Sequence, residues 1–231
     1  MNTVLFVGIP YIALFLAIVV GFYRFAVDRY SYSSFSSQFL ESKTLFWGVV
    51  PWHYGIVTIL TVHLFAFLFP GVWAMFTADP MRLAVIEVVG LALAAMSIIG
   101  LVVLFIRRAS DARASVVTTT MDWLLLIALL IQVVMGFWVA FVYRWGSDWY
   151  LNTAAPWMLS LLTLSPKIDV VSVLPWQVQL HLLWGFVLLG LFPFTRLVHI
   201  AGWPIAYLVS RPSLQVVIWN RDRKSQYHQQ L

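Results

Sequence analysis

The chain has 231 residues, of which 62% are hydrophobic and 10% are charged, and its formal net charge is +5. A mean hydropathy of +0.90 excludes an ordinary water-soluble core and indicates an integral membrane protein, in which basic residues mark cytoplasmic loops rather than a nucleic-acid partner. The absence of cysteine excludes disulfides, thiolate-ligated iron–sulfur clusters and c-type haem attachment within this chain.

Five apolar segments follow one another along the chain, each about long enough to cross a bilayer. We predict membrane-spanning helices over Val4–Tyr23, Leu45–Phe69, Leu83–Ile106, Trp123–Tyr143 and Trp176–Ile200. No basic region precedes the first apolar run, so we expect that run to stay in the protein as a span. The predicted fold is an all-α membrane protein, with a five-helix domain over residues 1–200 and a tail over residues 201–231.

The connections between the spans carry polar residues and turn signals. Residues 72–82 are predicted to be a short connection, and residues 156–162 a short helix in the membrane interface. Asp122, which follows three threonines, is expected to cap the fourth span. Gln132 within that span is expected to form an interhelical hydrogen bond with a structural role.

The distribution of basic residues predicts the orientation of the chain. Eleven of the 14 Lys and Arg residues lie in the first and third connections, at the end of the fifth span and in the tail. The other three are Arg82, Arg144 and Lys167. Because positive residues accumulate on the cytoplasmic side, we expect the N-terminus outside and the C-terminus in the cytoplasm.

Four of the five histidines lie in two of the predicted spans. His53 and His63 are ten residues apart on the second span, which is about 15 Å along a helix. His181 and His199 are eighteen residues apart on the fifth span, which is about 27 Å, with both rings on one face. An intramembrane histidine can simply bond a neighbouring helix. Two pairs on two helices instead favour a functional site.

The parity of five spans makes the second and fifth helices antiparallel. His53 therefore shares the inner half of the membrane with His199, and His63 shares the outer half with His181. Two histidines on facing helices can hold a haem iron from both sides, so the sequence predicts two haems stacked across the bilayer. The unequal spacings require inclined haem planes or tilted helices.

Three charged residues near the ends of the spans are further candidates. Arg196 precedes His199 by three residues and is a candidate for a haem propionate contact, or equally a snorkelling interfacial arginine. Glu87 could handle protons, but it lies near the outer interface, where a carboxylate can simply be hydrated. Arg82 is the basic residue of connection 72–82 and could equally be an ordinary loop arginine.

These residues resemble the b-type cytochrome (gamma) subunit of membrane-bound respiratory nitrate reductase. The resemblance covers nearly the whole chain. It rests on the two histidine spacings and on three motifs. The motifs are Ser36-Ser37-Gln38, Thr118-Thr119-Thr120 with Asp122, and Leu180-His181 followed by Phe192-Pro193-Phe194-Thr195-Arg196-Leu197-Val198-His199-Ile200.

The resemblance implies a multi-pass subunit of the cytoplasmic membrane with two b haems. It assigns the proximal, cytoplasmic-side haem to His53 and His199 and the distal, outer haem to His63 and His181. Such subunits oxidise a quinol near the distal haem and pass electrons to a cytoplasmic iron–sulfur (beta) subunit and then to a molybdenum-containing catalytic (alpha) subunit. Arg82 falls roughly where the family has a lysine associated with the quinol site, so Arg82, Glu87 and His63 are the candidates for that site.

Two other functions fit the same histidines. The chain could be the cytochrome b subunit of a related disulfide- or sulfite-reducing membrane complex. From another class, it could be a transporter whose intramembrane histidines relay protons or bind a metal. A transporter of that kind would be colourless, whereas two low-spin haems absorb strongly in the visible range.

Overall fold

The computed structural model describes residues 2–27, 43–116 and 118–200, and every regular element in these ranges is helical. Five long helices carry the fold, and each has the length and composition to cross a membrane. They are α1 (Val4–Val27), α2 (Lys43–Leu68), α3 (Pro80–Ser110), α4 (Thr120–Val142) and α5 (Trp176–Leu191), which reaches spanning length together with the 3₁₀ turn that extends it to Phe194. The prediction of an all-α, five-span membrane protein is confirmed. The predicted tail and most of the first connection lie outside the described residues.

Proline and capping residues determine where α3 begins. The prediction of a connection over residues 72–82 was wrong, because Pro70–Thr77 forms a separate helix after a break at Phe69. Proline suits the first position of a helix, where its missing N–H has no intrahelical partner. The same rule starts α3 at Pro80, and Asp79 caps it by accepting the Arg82 N–H at 2.9 Å.

The N-terminus of α4 carries the predicted cap. Thr119 is the N-cap residue, and its hydroxyl oxygen accepts the backbone N–H of Asp122 at 3.2 Å. In return, Asp122 Oδ2 accepts the backbone N–H of Thr119 at 3.0 Å. This capping box satisfies donors that have no intrahelical partner, and the prediction that Asp122 caps this helix is confirmed.

The fifth span is not one continuous α-helix, and the prediction of a single helix over residues 176–200 was wrong. The α-helix ends at Leu191, and a 3₁₀ turn follows over Phe192–Phe194. Thr195 is extended, and a second 3₁₀ turn covers Arg196–Val198. Pro193 explains the break, because proline lacks an N–H and its ring clashes with the preceding turn. The expected separation of about 27 Å between His181 and His199 assumed one continuous helix, so it does not apply.

The helices pack in the order α2, α3, α4, α5, α1. Glycine permits the closest of these contacts: the Gly55 Cα lies so near α3 that an added Cβ would come within 2.7 Å of the Leu93 carbonyl oxygen. Within the described ranges, α2 and α5 do not pack extensively against each other. Direct packing therefore does not hold the two histidine-bearing helices together.

The connection between α4 and α5 contains the short helix that was predicted. It covers Ala154–Leu162, and its Trp157 is fully buried. The indole N–H of Trp157 donates to the Phe6 carbonyl at 3.1 Å, and the Tyr11 hydroxyl donates to the Leu161 carbonyl at 3.0 Å. One face of this helix is thus packed against α1. Its placement in the membrane interface stays a prediction.

Candidate functional site

The structure brings His53 of α2 and His199 together. Their ring centroids are 6.2 Å apart, with an angle of 64° between the ring planes. This contact is one of the two pairings that antiparallel helices imply. The pairing of His63 with His181 stays a prediction.

Three of the four imidazoles are oriented by the backbone. Nδ1 lies 2.8 Å from the Val49 carbonyl oxygen in His53, 2.8 Å from the Ile59 oxygen in His63 and 2.5 Å from the Arg196 oxygen in His199. A carbonyl only accepts, so Nδ1 carries the proton and donates in each case. Neutral Nε2 then keeps its lone pair, the arrangement typical of a metal-ligating histidine.

His181 is held differently, by α4. A Cβ added to Gly136 would lie 2.9 Å from His181 Cε1, so the imidazole rests directly on that glycine. One helical turn away, Gln132 Nε2 donates to the His181 carbonyl at 3.3 Å, which confirms the predicted interhelical hydrogen bond. His181 Nδ1 and Gln132 Oε1 are both buried without a hydrogen-bond partner. Buried polar atoms without partners are rare, and they mark this contact as specialised.

Arg196 forms a short ion pair at the end of α5. Its Nε lies 2.7 Å from Asp122 Oδ1, and the side chain of Asp122 is only 5% exposed. The same residue's backbone carbonyl accepts the Nδ1–H of His199. A propionate contact for Arg196 stays a prediction, but the Nε atom already has a carboxylate partner.

Arg82 and Glu87 have local partners on α3 and its neighbours. Arg82 lies in the first turn of α3, where its Nε is 3.8 Å from Asp79 and its guanidinium stacks 5.2 Å from the Phe76 ring centroid. Glu87 Oε1 accepts the backbone N–H of Ser147 at 3.0 Å. Among the described residues, their hydrogen bonds and ion pairs go to these partners rather than to His63.

Comparisons with known proteins cover nearly the whole chain. Residues 2–220 match the family model described as nitrate reductase gamma subunit. The chain belongs to this family. It is 31% identical over 203 residues to the nitrate reductase gamma chain of Bacillus subtilis, covering 86% of this chain and 91% of that one. It is 28% identical over 209 residues to the respiratory nitrate reductase 2 gamma chain of Escherichia coli, covering 87% and 91%.

A longer relative contains the same region. The nitrate reductase-like protein NarX of Mycobacterium tuberculosis is 27% identical over 208 residues, which are 87% of this chain and 31% of that protein. The chain described here is thus a multi-pass membrane member of the gamma subunit family.

Haem is the cofactor that this family implies, and the residues of the gamma-family chain fit it. Metal–imidazole bonds are about 2 Å long, so two imidazoles that share one metal have ring centroids about 6 Å apart. The 6.2 Å between His53 and His199 matches that value. Within residues 2–27, 43–116 and 118–200, no three His, Cys, Asp or Glu residues cluster as a metal site.

Sequence reasoning did not single out Gly136, or Asp122 as the partner of Arg196. Gly136 follows Gln132 by four residues, so both occupy one face of α4. That spacing, in a span already expected to bond a neighbour, was an available signal. The Asp122–Arg196 pair had no such signal, because it joins positions 74 residues apart across the break in the fifth span.

Proposed function

We propose that this chain is the dihaem cytochrome b subunit of a membrane-bound respiratory nitrate reductase of the cytoplasmic membrane. In this proposal, His53 and His199 hold an inner haem b, and His63 and His181 hold an outer haem b. The observation that carries it is the His53–His199 contact, in which both Nδ1 atoms bond backbone carbonyls and both Nε2 atoms therefore keep a lone pair.

The orientation of the chain gives the two pairs different surroundings. With the N-terminus outside and the C-terminus in the cytoplasm, the basic residues Arg107, Arg108 and Arg196 lie on the cytoplasmic side, near His199. His63 and His181 then lie in the outer half of the membrane. Haem bound by the two pairs would supply the one-electron redox chemistry that joins the two membrane surfaces.

The outer pair is the proposed place of quinol oxidation. A quinol gives up two protons with its two electrons, so the site needs a proton acceptor and an apolar cleft. Glu87 offers an acceptor, because a carboxylate has about four lone-pair positions and the Ser147 N–H occupies one. Arg82 stays protonated and would orient the quinol. His63 would border the site only through its ring carbons, because its Nδ1–H donates to the Ile59 carbonyl and its Nε2 is the proposed haem ligand.

The electrons require partners outside this chain. The chain has no cysteine and cannot ligate an iron–sulfur cluster with thiolates. We therefore propose a cytoplasmic iron–sulfur (beta) subunit as the electron acceptor, and a molybdenum-containing catalytic (alpha) subunit as the place of nitrate reduction. The tail over residues 201–231 is the proposed contact with these partners.

The test uses the complete complex in sealed vesicles of known orientation. A water-soluble quinol analogue should reduce the bound haem, and protons should appear on the face that corresponds to the cell exterior. The Arg144→Gln variant keeps a polar outer loop. It is the control for Arg82→Ala, because both variants lose one positive charge on the outer side. If haem is reduced while no external acidification occurs, quinol is not oxidised at the outer side. A colourless purified chain would overturn the cytochrome assignment itself.

A further inference from the structure

His199 is the one candidate ligand that lies beyond the break in the fifth span, at the first residue of the helical backbone that follows two 3₁₀ turns. His53 and His63 lie within α2, and His181 lies within the first two turns of α5. His199 follows the 3₁₀ turn Arg196–Val198, which is preceded by the extended residue Thr195. A single 3₁₀ turn has poor hydrogen-bond geometry and little stability of its own. Tertiary contacts must therefore fix the backbone that carries His199.

Several contacts anchor this segment to the rest of the molecule. Thr195 and Val198 are buried, with 3% and 1% of their surfaces exposed. The hydroxyl oxygen of Thr195 accepts the Leu197 N–H at 3.3 Å. The guanidinium of Arg24 on α1 donates to the Pro193 carbonyl at 2.5 Å. These contacts place the segment but do not touch the His199 ring.

The ring is reached through Arg196. The Arg196 carbonyl accepts the Nδ1–H of His199, and the Arg196 side chain pairs with Asp122. The carboxylate of Asp122 is held in place, because its other oxygen accepts the Thr119 N–H in the capping box of α4. A carboxylate in the first turn of a helix is also stabilised by the positive end of the helix dipole. One continuous series of bonds thus runs from the start of α4 to the His199 imidazole.

Asp122 lies among several arginines. Asp122 and Arg196 both act electrostatically on Arg108, and Arg107 is a further neighbour that is only 4% exposed. Asp122 therefore contributes a negative charge to a group that contains three arginines. Its negative charge offsets part of the positive potential that the arginines produce at the end of the molecule where His199 lies. Removing that charge would make the potential there more positive.

We propose that Asp122 is a positioning residue for His199. Through Arg196 it fixes the orientation of the His199 ring, and through its charge it lowers the reduction potential of the haem held there. The proposal rests on the proposed function, because it requires His199 to be an axial ligand. The new element is that α4, which supplies no ligand, controls the orientation of His199 and the potential of the inner haem.

The test measures each haem separately in the assembled complex. Asp122→Asn removes the charge and replaces with an NH₂ group one of the two oxygens that now bond Thr119 and Arg196. We expect the midpoint potential of the inner haem to rise and the electron paramagnetic resonance signal of its ferric form to change. Arg196→Gln removes a positive charge and should shift the potential downward. The double variant should return toward the wild-type value, since the two lost charges are opposite in sign.

Three controls make the result specific. The outer haem, held by His63 and His181, should keep its potential and its signal in every variant. Asp122→Glu keeps the charge and is the usual residue at this capping position, so it should restore the inner haem toward its normal properties. Asp169→Asn removes an exposed carboxylate from the first turn of another short helix and should change neither haem.

The outcomes separate this inference from the proposed function. If Asp122→Asn and Arg196→Gln leave the inner haem unchanged, or shift both haems alike, Asp122 has no positioning role. Should Asp122→Asn fail to assemble, Arg196→Gln and Asp122→Glu decide the matter by the same readouts. The companion variant His199→Ala tests the premise: if it retains both haems, the proposed ligation is wrong regardless of Asp122.

Discussion

The imidazole of His181 rests on the backbone of Gly136, because a Cβ at that glycine would come within 2.9 Å of His181 Cε1. Such a contact is shorter than packed side chains tolerate, and Cε1 belongs to a rigid ring rather than to a flexible chain end. The glycine on α4 therefore determines how closely the outer histidine can approach that helix. The inner pair has no such contact with α4.

We predict that Gly136→Ala displaces His181 and removes most of the outer haem, while the inner haem remains. Reduced-minus-oxidised spectra of the purified complex measure both. The matched control is Gly90→Ala on α3, where an added Cβ meets nothing within 4 Å. That change should leave both haems bound and favour the helix by about 0.5–1 kcal/mol. Equal haem loss in the two variants would show that His181 does not depend on Gly136.

Arg82 gives a prediction about quinol oxidation. Its ion pair with Asp79 is loose and half exposed, and such surface pairs stabilise a protein by about 1 kcal/mol at most. Arg82→Ala should therefore leave folding and both haems intact while it slows the quinol-dependent reduction of haem. Arg82→Lys, which keeps the charge, should retain most of the rate. Normal kinetics in the alanine variant would remove Arg82 from the quinol site.

The contact between α2 and α3 gives a prediction about stability. A Cβ at Gly55 would collide with Ser97 Oγ and lie 2.7 Å from the Leu93 carbonyl oxygen, so α2 would have to move. Overpacking of this kind costs about 1–3 kcal/mol. Gly55→Ala should lower the melting temperature of the detergent-solubilised protein. The matched change Gly71→Ala, which meets nothing within 4 Å, should not; comparable melting of both variants would contradict the close α2–α3 contact.

The sequence predicts those features that depend on local pattern. Five apolar runs of sufficient length give the five spans, since a bilayer demands long segments with satisfied backbone groups. Asp122 could be assigned to a cap because capping depends on residues three positions apart. The pairing of His53 with His199 follows from the parity of the spans and is also a contact in the structure.

Other features depend on three-dimensional context and were not predicted. Pro193 was visible in the sequence, but prolines also occur within continuous membrane helices, as Pro51 does within α2. Only the surrounding contacts decide between a kink and the complete break seen after Leu191. Likewise, the partners of Asp122 and Gly136 lie on another helix, and their proximity follows from helix packing that no single segment encodes.

The central claim is that His53 and His199 hold one haem while His63 and His181 hold another. The most direct measurement is the reduced-minus-oxidised visible spectrum, combined with a redox titration, of the complex carrying each of the four histidines replaced by alanine. We predict two haem components in the unaltered complex. His53→Ala and His199→Ala should remove the same component, and His63→Ala and His181→Ala the other. Loss of one common component in His53→Ala and His63→Ala would contradict the pairing.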